Sequence, residues 1–183
     1  MQPLQRLEQW LRSRHQSNES RLYPSGAFRS LVPELNSGAY RGLLRRAEQR
    51  GLIERVCQGV YQYTGAPDQS GYILFHAAAI LRARHFNYIS LETVLSDAGI
   101  ISQIPIAWVT IVSTGRSGHV SCGRYGTIEF VHTERPMSRV VDELHYNPER
   151  HMYQASSELA LEDMHRFHRS TLNLVQENND DRF

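Results

Sequence analysis

The chain has 183 residues, of which 40% are hydrophobic, and it carries a formal net charge of +1. This length allows one large domain or two small ones, and either can bury a core. No stretch approaches the roughly 20 apolar residues of a membrane span, because the longest candidate, residues 72–81, is interrupted by His76. The first residues also lack the charged and then apolar order of a signal peptide, so we expect a cytoplasmic protein.

The charges are distributed unevenly along the chain. Up to Ala66, ten arginines accompany five acids, for a net charge of +5, whereas from Pro67 onward ten arginines accompany fourteen acids, for −4. A basic N-terminal part on a mildly acidic remainder is typical of a nucleic-acid reader joined to a regulatory or partner domain. Every Lys/Arg position is arginine. Arginine suits phosphate and guanine edges, although a GC-rich genome produces the same bias.

The apolar spacing predicts two helices at the start of the chain. The first is amphipathic and ends near residue 13, with an apolar stripe made of Leu4, Leu7, Trp10 and Leu11. The second is short and begins near residue 25. Its predicted buried side includes Ala27 and Phe28, and Pro33 ends or distorts it.

A third helix is predicted over residues 37–50. Ser37 is its expected N-cap, and Gly51 occupies the usual C-terminal stop position. Arg41 and Arg45, four residues apart, share the face opposite the apolar one. This spacing predicts a basic helix surface that can approach DNA.

A β-hairpin is predicted directly after this helix. Residues 52–56 and 60–63 are β-prone, and Gly59 between them can adopt the positive φ of a tight turn. The hairpin would place Arg55 and Gln58 beside the groove that the helix enters. Two short helices, a turn and a hairpin are the layout of a winged helix-turn-helix.

Residues 64–70 are the expected domain boundary, because they combine Gly, Pro and polar residues without periodicity. Beyond it we predict a helix over residues 71–85 and a second one capped by Ser90 and stopped at Gly99. Residues 106–112 form an apolar run that indicates a buried strand, which residues 102–105 would enter as a loop. Residues 127–132 are its expected antiparallel neighbour, and residues 138–144 a short helix.

The last predicted element is a long C-terminal helix before an acidic tail at residues 178–181. The residues that recur at three- and four-residue steps along it are Leu161, Met164, His168, Leu172 and Val175. The predicted fold is therefore α+β. Residues 1–66 form a winged helix-turn-helix DNA-binding domain, and residues 67–183 form a mixed α/β domain with a small antiparallel sheet and this long helix.

The residue types around the third helix predict sequence-specific DNA binding. Arg41 and Arg45 would reach base edges in the major groove, where arginine pairs with guanine through two hydrogen bonds. The other candidate DNA contacts are Arg29, Ser37, Arg46, Arg55, Gln58 and Arg116. Among them Arg29, Arg46 and Arg55 would neutralise phosphates. The alternative is a protein-interaction module in which these arginines form a solvated face.

The remaining chemistry-bearing residues predict no metal, cofactor or enzyme activity. His145, His151, His165 and His168 lack the spacing of a zinc site. A nuclease centred on Glu129 needs converging carboxylates, usually with a lysine, and the sequence has no lysine. Residues 115–118 lack the Lys-Ser/Thr of a P-loop, and a strand connection is the favoured interpretation.

The two cysteines predict neither a zinc finger nor a redox motif. Cys57 and Cys122 are far apart, and the chain has no Cys-x-x-Cys pair. Two small buried or half-buried thiols are favoured over a disulfide.

An ordered set of motifs resembles AbiE-type (AbiEi family) antitoxins of type IV toxin-antitoxin systems. The motifs lie at residues 51–56, 59–61, 88–96, 99–101, 109–112, 114–116, 125–126, 128–130 and 155–163. The resemblance implies a two-domain antitoxin and transcriptional autorepressor, known from abortive infection and mobile elements. Such a protein binds double-stranded DNA at inverted repeats in its own promoter, with possible self-association there, and counters a nucleotidyltransferase-like toxin. This chain is compact, so a stand-alone regulator is the alternative that the resemblance leaves open.

Overall fold

The structure is a computed structural model that describes residues 1–15, 22–102 and 107–170. The chain divides into two compact units, Met1–Leu81 and Arg82–Phe183. We call them unit 1 and unit 2. The boundary predicted after Ala66 stays a prediction, and by compactness the helix that follows it belongs to unit 1. No helix in the described ranges is long and apolar enough to cross a membrane.

Unit 1 combines helices with a three-stranded antiparallel sheet. Its elements are α1 (Pro3–His15), β1 (Leu22–Pro24), a 3-10 helix (Ser25–Leu31), α2 (Ser37–Gln49), β2 (Ile53–Cys57), β3 (Val60–Tyr63) and α3 (Ile73–Leu81). The strands lie in the order β1-β3-β2, so β1 extends the predicted hairpin on the β3 side. The second predicted helix is a 3-10 helix rather than an α-helix.

The core of unit 1 is built from the apolar stripe of α1 and the buried sides of the elements that follow. Its buried members are Leu7, Leu11, Phe28, Leu44, Ala47, Ile53 and Tyr61. Trp10 and Tyr23 pack their rings edge to face at its border, with centroids 5.3 Å apart. Burying a leucine, isoleucine or phenylalanine side chain contributes about 1.5–3 kcal/mol, which fixes the orientation of every element that carries one.

Asp68 anchors the segment between β3 and α3. Its carboxylate oxygens accept hydrogen bonds from Ser70 N at 2.8 Å and Ser70 Oγ at 2.5 Å, and Oδ2 lies 2.9 Å from His76 Nδ1 on α3. Burial by itself raises the pKa of Asp68, but the hydrogen bonds from His76 and Ser70 outweigh burial and hold that pKa well below its usual value. The predicted domain boundary is therefore a structured connection.

Unit 2 is built on a six-stranded mixed sheet with the strand order β6-β7-β5-β4-β9-β8. Its elements are β4 (Asn87–Ile89), α4 (Leu91–Asp97), β5 (Trp108–Ser113), β6 (Gly118–Ser121), β7 (Thr127–His132), β8 (Leu144–Asn147), β9 (Met152–Ala155) and α5 (Ser157–Arg166). Three short 3-10 helices, Gly123–Tyr125, Met137–Arg139 and Val141–Glu143, lie in its connections. The short helix predicted over residues 138–144 is thus two 3-10 turns and the start of β8.

The predicted antiparallel pairing of residues 106–112 with residues 127–132 is wrong, because β5 and β7 pair in parallel. The chain leaves β5, forms β6 from the Gly-containing connection, and returns as β7 between them. Gly126 makes this return possible. Its φ is +117°, and a Cβ placed there would lie 2.0 Å from the carbonyl oxygen of Ala107, which accepts the N–H of Thr127 at 2.7 Å.

The predicted fold of the whole chain is also wrong beyond its α+β class. The sheet of unit 2 is larger than expected and mixed rather than antiparallel. The C-terminal helix α5 has 10 residues and is not long. It ends because His168 adopts a left-handed conformation with φ of +54° and turns the chain. Leu172, Val175 and the acidic tail lie outside the described residues, as does the loop at residues 103–105.

A buried carboxylate connects the sheet of unit 2 to α5. Asp163 Oδ2 accepts the hydroxyl hydrogens of Tyr88 at 3.0 Å and Ser90 at 2.7 Å, while Arg135 Nη1 lies 3.7 Å from Oδ1. Burial raises the pKa of Asp163, and the two hydroxyl donors counteract part of that effect. Ser90 precedes α4 as predicted, but its hydroxyl serves Asp163 and makes no side-chain cap hydrogen bond.

Acid titration tests the anchor at Asp68. A carboxyl group whose pKa is lowered by folding stabilises the native state above its unfolded pKa of about 3.9, and this contribution is lost as the pH falls below that value. We expect Asp68→Asn to cost about 1.5–3 kcal/mol at pH 7. The free energy of unfolding, measured with urea, should therefore fall more between pH 7 and pH 3 for the parent than for Asp68→Asn.

Glu8→Gln, which removes an exposed carboxylate of α1, is the matched control. It should leave the pH dependence of the parent unchanged. Equal pH dependence in the parent and Asp68→Asn would contradict the assignment of a strongly lowered pKa to Asp68.

Candidate nucleic-acid interface

The orientation of α2 is set by its apolar side. Leu43, Leu44 and Ala47 are buried, and the helix is held against α1 and β2 by this contact. Because the arginines of α2 alternate with these residues at helical spacing, Arg41 and Arg45 point to solvent. The exposed arginine face that the sequence predicts is therefore present.

Both ends of α2 have specific stop signals. The N-cap is Asn36, whose Oδ1 accepts the N–H of Ala39 at 2.8 Å, so the prediction of Ser37 as the cap is wrong by one position. Ser37 is instead the first helical residue, and it is exposed. At the other end Gly51 has a φ of +65°. The N–H groups of Gly51 and Leu52 then bond back to the last turn of the helix, which is the Schellman arrangement.

The hairpin of β2 and β3 carries two further predicted contacts. Arg55 and Gln58 are both exposed, and Gly59 turns the chain with a φ of +83°. The pairing shifts register between Arg55 and Cys57, which is a β-bulge. The carbonyl of Gly59 accepts the N–H of Ser25 at 2.7 Å, so the tip of the hairpin is bonded to the start of the 3-10 helix.

Arg29 differs from the other predicted phosphate contacts because it is partly withdrawn from solvent. Its guanidinium carbon lies 4.9 Å from the centroid of the Tyr40 ring on α2. Its Nη1 is buried and has no hydrogen-bond partner among the residues that the structure describes. The hydroxyl of Tyr40 donates to the carbonyl of Ser25, and burial raises the pKa of Tyr40. Arg29 thus packs beneath the first turns of α2.

The arginines of unit 1 fall into two groups by their partners. On α1, Arg12 bonds Glu8 at 2.6 Å, and Arg6 bonds Glu34 at 2.5 Å. In contrast, the arginines of α2 and the hairpin, together with Arg50 directly after α2, form no ion pair within the described ranges. These exposed residues are Arg41, Arg45, Arg46, Arg50 and Arg55.

Arg116 is the one predicted contact that belongs to unit 2. It lies between β5 and β6 and is exposed. Its loop is well fixed, because its carbonyl accepts Arg82 Nη2 at 2.7 Å and the carbonyl of Gly115 lies 2.9 Å from His132 Nδ1. The structure therefore brings Ser37, the α2 arginines, Arg55 and Gln58 together in one unit, but it places Arg116 in the other.

Sequence reasoning missed a cluster of ionised groups in unit 2. Arg169 bonds Glu92 of α4 at 2.8 Å and also bonds Glu129 of β7. Trp108 Nε1 donates to the same Glu129 carboxylate at 3.3 Å, and His119 Nε2 lies 3.5 Å from it. Burial raises the pKa of Glu129, but the hydrogen bonds and charge of Arg169 outweigh it, so that pKa is lowered. No local sequence signal connects residues this far apart in the chain.

The described residues contain no group of three or more His, Cys, Asp or Glu side chains that could hold a metal ion. Cys57 and Cys122 are both buried and form no disulfide with each other, and they lie in different units. The glutamate considered for a nuclease, Glu129, bonds Arg169.

The cap assignment gives a direct stability test. Asn36→Ala removes the acceptor for the N–H of Ala39, and we expect it to lower the free energy of unfolding by about 1 kcal/mol. Ser37→Ala is the matched control, because Ser37 lies inside the helix; it should change stability by less than about 0.5 kcal/mol. Chemical unfolding of both variants provides the measurement, and a larger loss for Ser37→Ala would contradict the assignment.

Comparison with known proteins does not place the chain in a family. No family model matches it, and no curated protein matches it. The resemblance to AbiE-type antitoxins therefore stays a prediction made from motifs. The candidate interface in unit 1 rests on its geometry and charge alone.

Proposed function

We propose that this chain is a sequence-specific DNA-binding protein that represses transcription of its own operon. The observation that supports the proposal is the exposed basic surface of α2 and the hairpin. Its arginines lack ion-pair partners among the described residues, whereas Arg6 and Arg12 on α1 have them. Exposed guanidinium groups held by a rigid helix are suited to an anionic polymer.

The dimensions of α2 fit this role. Its 13 residues span about 20 Å at 1.5 Å per residue, and an α-helix fits the major groove of B-DNA. Arg41 and Arg45 lie one turn apart on the exposed side, so both would reach base edges from one insertion. Ser37 and Gln58 would add polar contacts at the edges of the surface.

Contacts to the phosphate backbone of DNA would come from the sides of this surface. Arg46 and Arg55 would neutralise phosphates flanking the groove, and such contacts set position rather than sequence. Arg29 packs on Tyr40 and would act mainly by supporting α2. Arg116 of unit 2 would add a contact to the phosphate backbone.

The biological role follows from the resemblance and not from geometry. An AbiE-type antitoxin would bind inverted repeats in its own promoter, with two copies side by side, and unit 2 would counter a nucleotidyltransferase-like toxin. A stand-alone regulator is the second possibility. Co-expression with a nucleotidyltransferase-like product of the same operon distinguishes them, because only an antitoxin restores growth.

Removal of the two groove arginines is the main test. Each lost pair of hydrogen bonds to a guanine costs about 1–3 kcal/mol, so Arg41→Ala with Arg45→Ala should weaken binding to the promoter at least about tenfold. The measurement is a mobility-shift titration with promoter DNA and with a scrambled duplex. Discrimination between the two duplexes should fall as well.

The control removes the same charge elsewhere. Arg12→Ala with Arg84→Ala deletes one arginine paired on α1 and one exposed arginine of unit 2. This variant should bind within about threefold of the parent. If the Arg41 and Arg45 variant binds promoter DNA as tightly as the control, the assignment of α2 to the groove is wrong.

Salt dependence separates DNA binding from a protein-interaction module. Each phosphate contact contributes about −0.9 to the slope of log K against log salt concentration. Arg55→Ala should therefore make this slope less steep by about one, with little change in sequence discrimination. Affinity for DNA that does not vary with salt would favour the protein-interaction module, in which this surface meets an acidic partner.

A further inference from the structure

We propose that His76 and Asp68 are positioning residues for DNA binding. Through a partly buried chain of hydrogen bonds, they hold the hairpin strand that carries Arg55. This inference rests on the proposed function of unit 1. The chain runs from Glu54 through Gln62 and Asp68 to His76. None of these residues is a predicted DNA contact.

The hairpin end of the chain is Gln62 of β3. Its side chain is buried, with 1% of its surface exposed, and it lies opposite Glu54 in the strand pairing. Gln62 Nε2 donates to Glu54 Oε2 at 2.8 Å, and Gln62 Oε1 accepts the N–H of Asp68 at 3.1 Å. A buried amide bonded on both sides has a single favoured orientation, because the alternative leaves polar atoms unsatisfied.

The helix end of the chain is His76 on α3. The Asp68 side chain is 3% exposed and that of His76 is 10% exposed. Their 2.9 Å contact is therefore shielded from solvent. Hydrogen bonds between charged or polar groups are stronger in such a shielded environment than in water. Because α3 packs on β1 and β3 within unit 1, this contact joins the hairpin to a rigid element.

The position of the anchored pair explains why Arg55 depends on it. Glu54 and Gln62 form the pair directly before Arg55 and Tyr61, and the β-bulge begins immediately after Arg55. A bulge interrupts the ladder and lets a strand bend. Fixing Glu54 from one face of the sheet therefore sets the direction in which Arg55 leaves the other face, since successive side chains alternate.

The test combines a disrupting and a rescuing variant. His76→Leu keeps the bulk but removes Nδ1, and His76→Asn places an amide nitrogen near the Nδ1 position. We expect His76→Leu to weaken binding to promoter DNA about fivefold and to flatten the salt slope by about one, as Arg55→Ala does. His76→Asn should restore at least half of both effects. Fluorescence anisotropy with labelled promoter DNA at several salt concentrations provides both readouts.

A double-mutant cycle distinguishes positioning from a general loss of stability. If His76 acts through Arg55, His76→Leu should have little further effect on affinity once Arg55 is alanine. The same substitution should add fully to Arg41→Ala with Arg45→Ala, because those residues lie on α2. Additive effects with Arg55→Ala would overturn the proposal.

Gln62→Met provides a second way to break the chain, from the hairpin end. It should reproduce the weaker binding and the flatter salt slope if His76→Leu does not fold. Failure of both variants to fold would also overturn the proposal, since the residues would then act in folding and not in positioning. If Arg55→Ala weakens binding but neither variant does, only this inference fails. If the parent itself does not bind DNA, the proposed function fails with it.

Discussion

The burial of one side of α2 is the constraint on which the proposed interface depends. Leu43, Leu44 and Ala47 enter the core of unit 1, and they do so because apolar surface removed from water stabilises the folded state. The helix has 3.6 residues per turn, so this burial leaves the arginines only the solvent side. The arginine face of α2 is therefore a consequence of core packing.

Unit 2 contains polar contacts within its apolar interior. Asp163 holds the hydroxyl groups of Tyr88 and Ser90, and it has Arg135 nearby. Such a network is costly to bury unless its partners are in place, and it therefore favours one arrangement of sheet and helix over others. The Arg169 cluster adds a second set of charged contacts that join α4, β7 and the residues after α5.

The sequence was most informative where one physical signal dominates a segment. The apolar period over α2, with glycines at 51 and 59, was enough to predict this helix, the hairpin and the exposed arginines. The predicted N-cap of α2 was wrong by one residue, because Asn36 and Ser37 are both good cap residues and only tertiary geometry selects one. The strands β4, β8 and β9 were not predicted, since strands of three or four residues are too short to show alternation.

Long-range contacts explain the remaining failures. The parallel pairing of β5 and β7 depends on β6, which forms from a connection rich in glycine and serine that has no strand pattern of its own. The chain of hydrogen bonds from Glu54 to His76 and the bonds of Arg169 join residues that no periodicity relates. Such contacts depend on where elements meet and cannot be read from local spacing.

Substitution of Gly126 in unit 2 and substitution of the α2 arginines in unit 1 are expected to have different effects. Any side chain at that position would collide with the Ala107 carbonyl, and the chain would have to move Ala107 or lose the register of β5 and β7. Variation there is expected to reduce the amount of folded protein in the cell, whatever unit 2 binds. Variation at the exposed arginines of α2 would leave the amount unchanged and alter only what the protein does. A comparison of cellular abundance with repression across many variants would therefore separate the residues that build this protein from those that it uses.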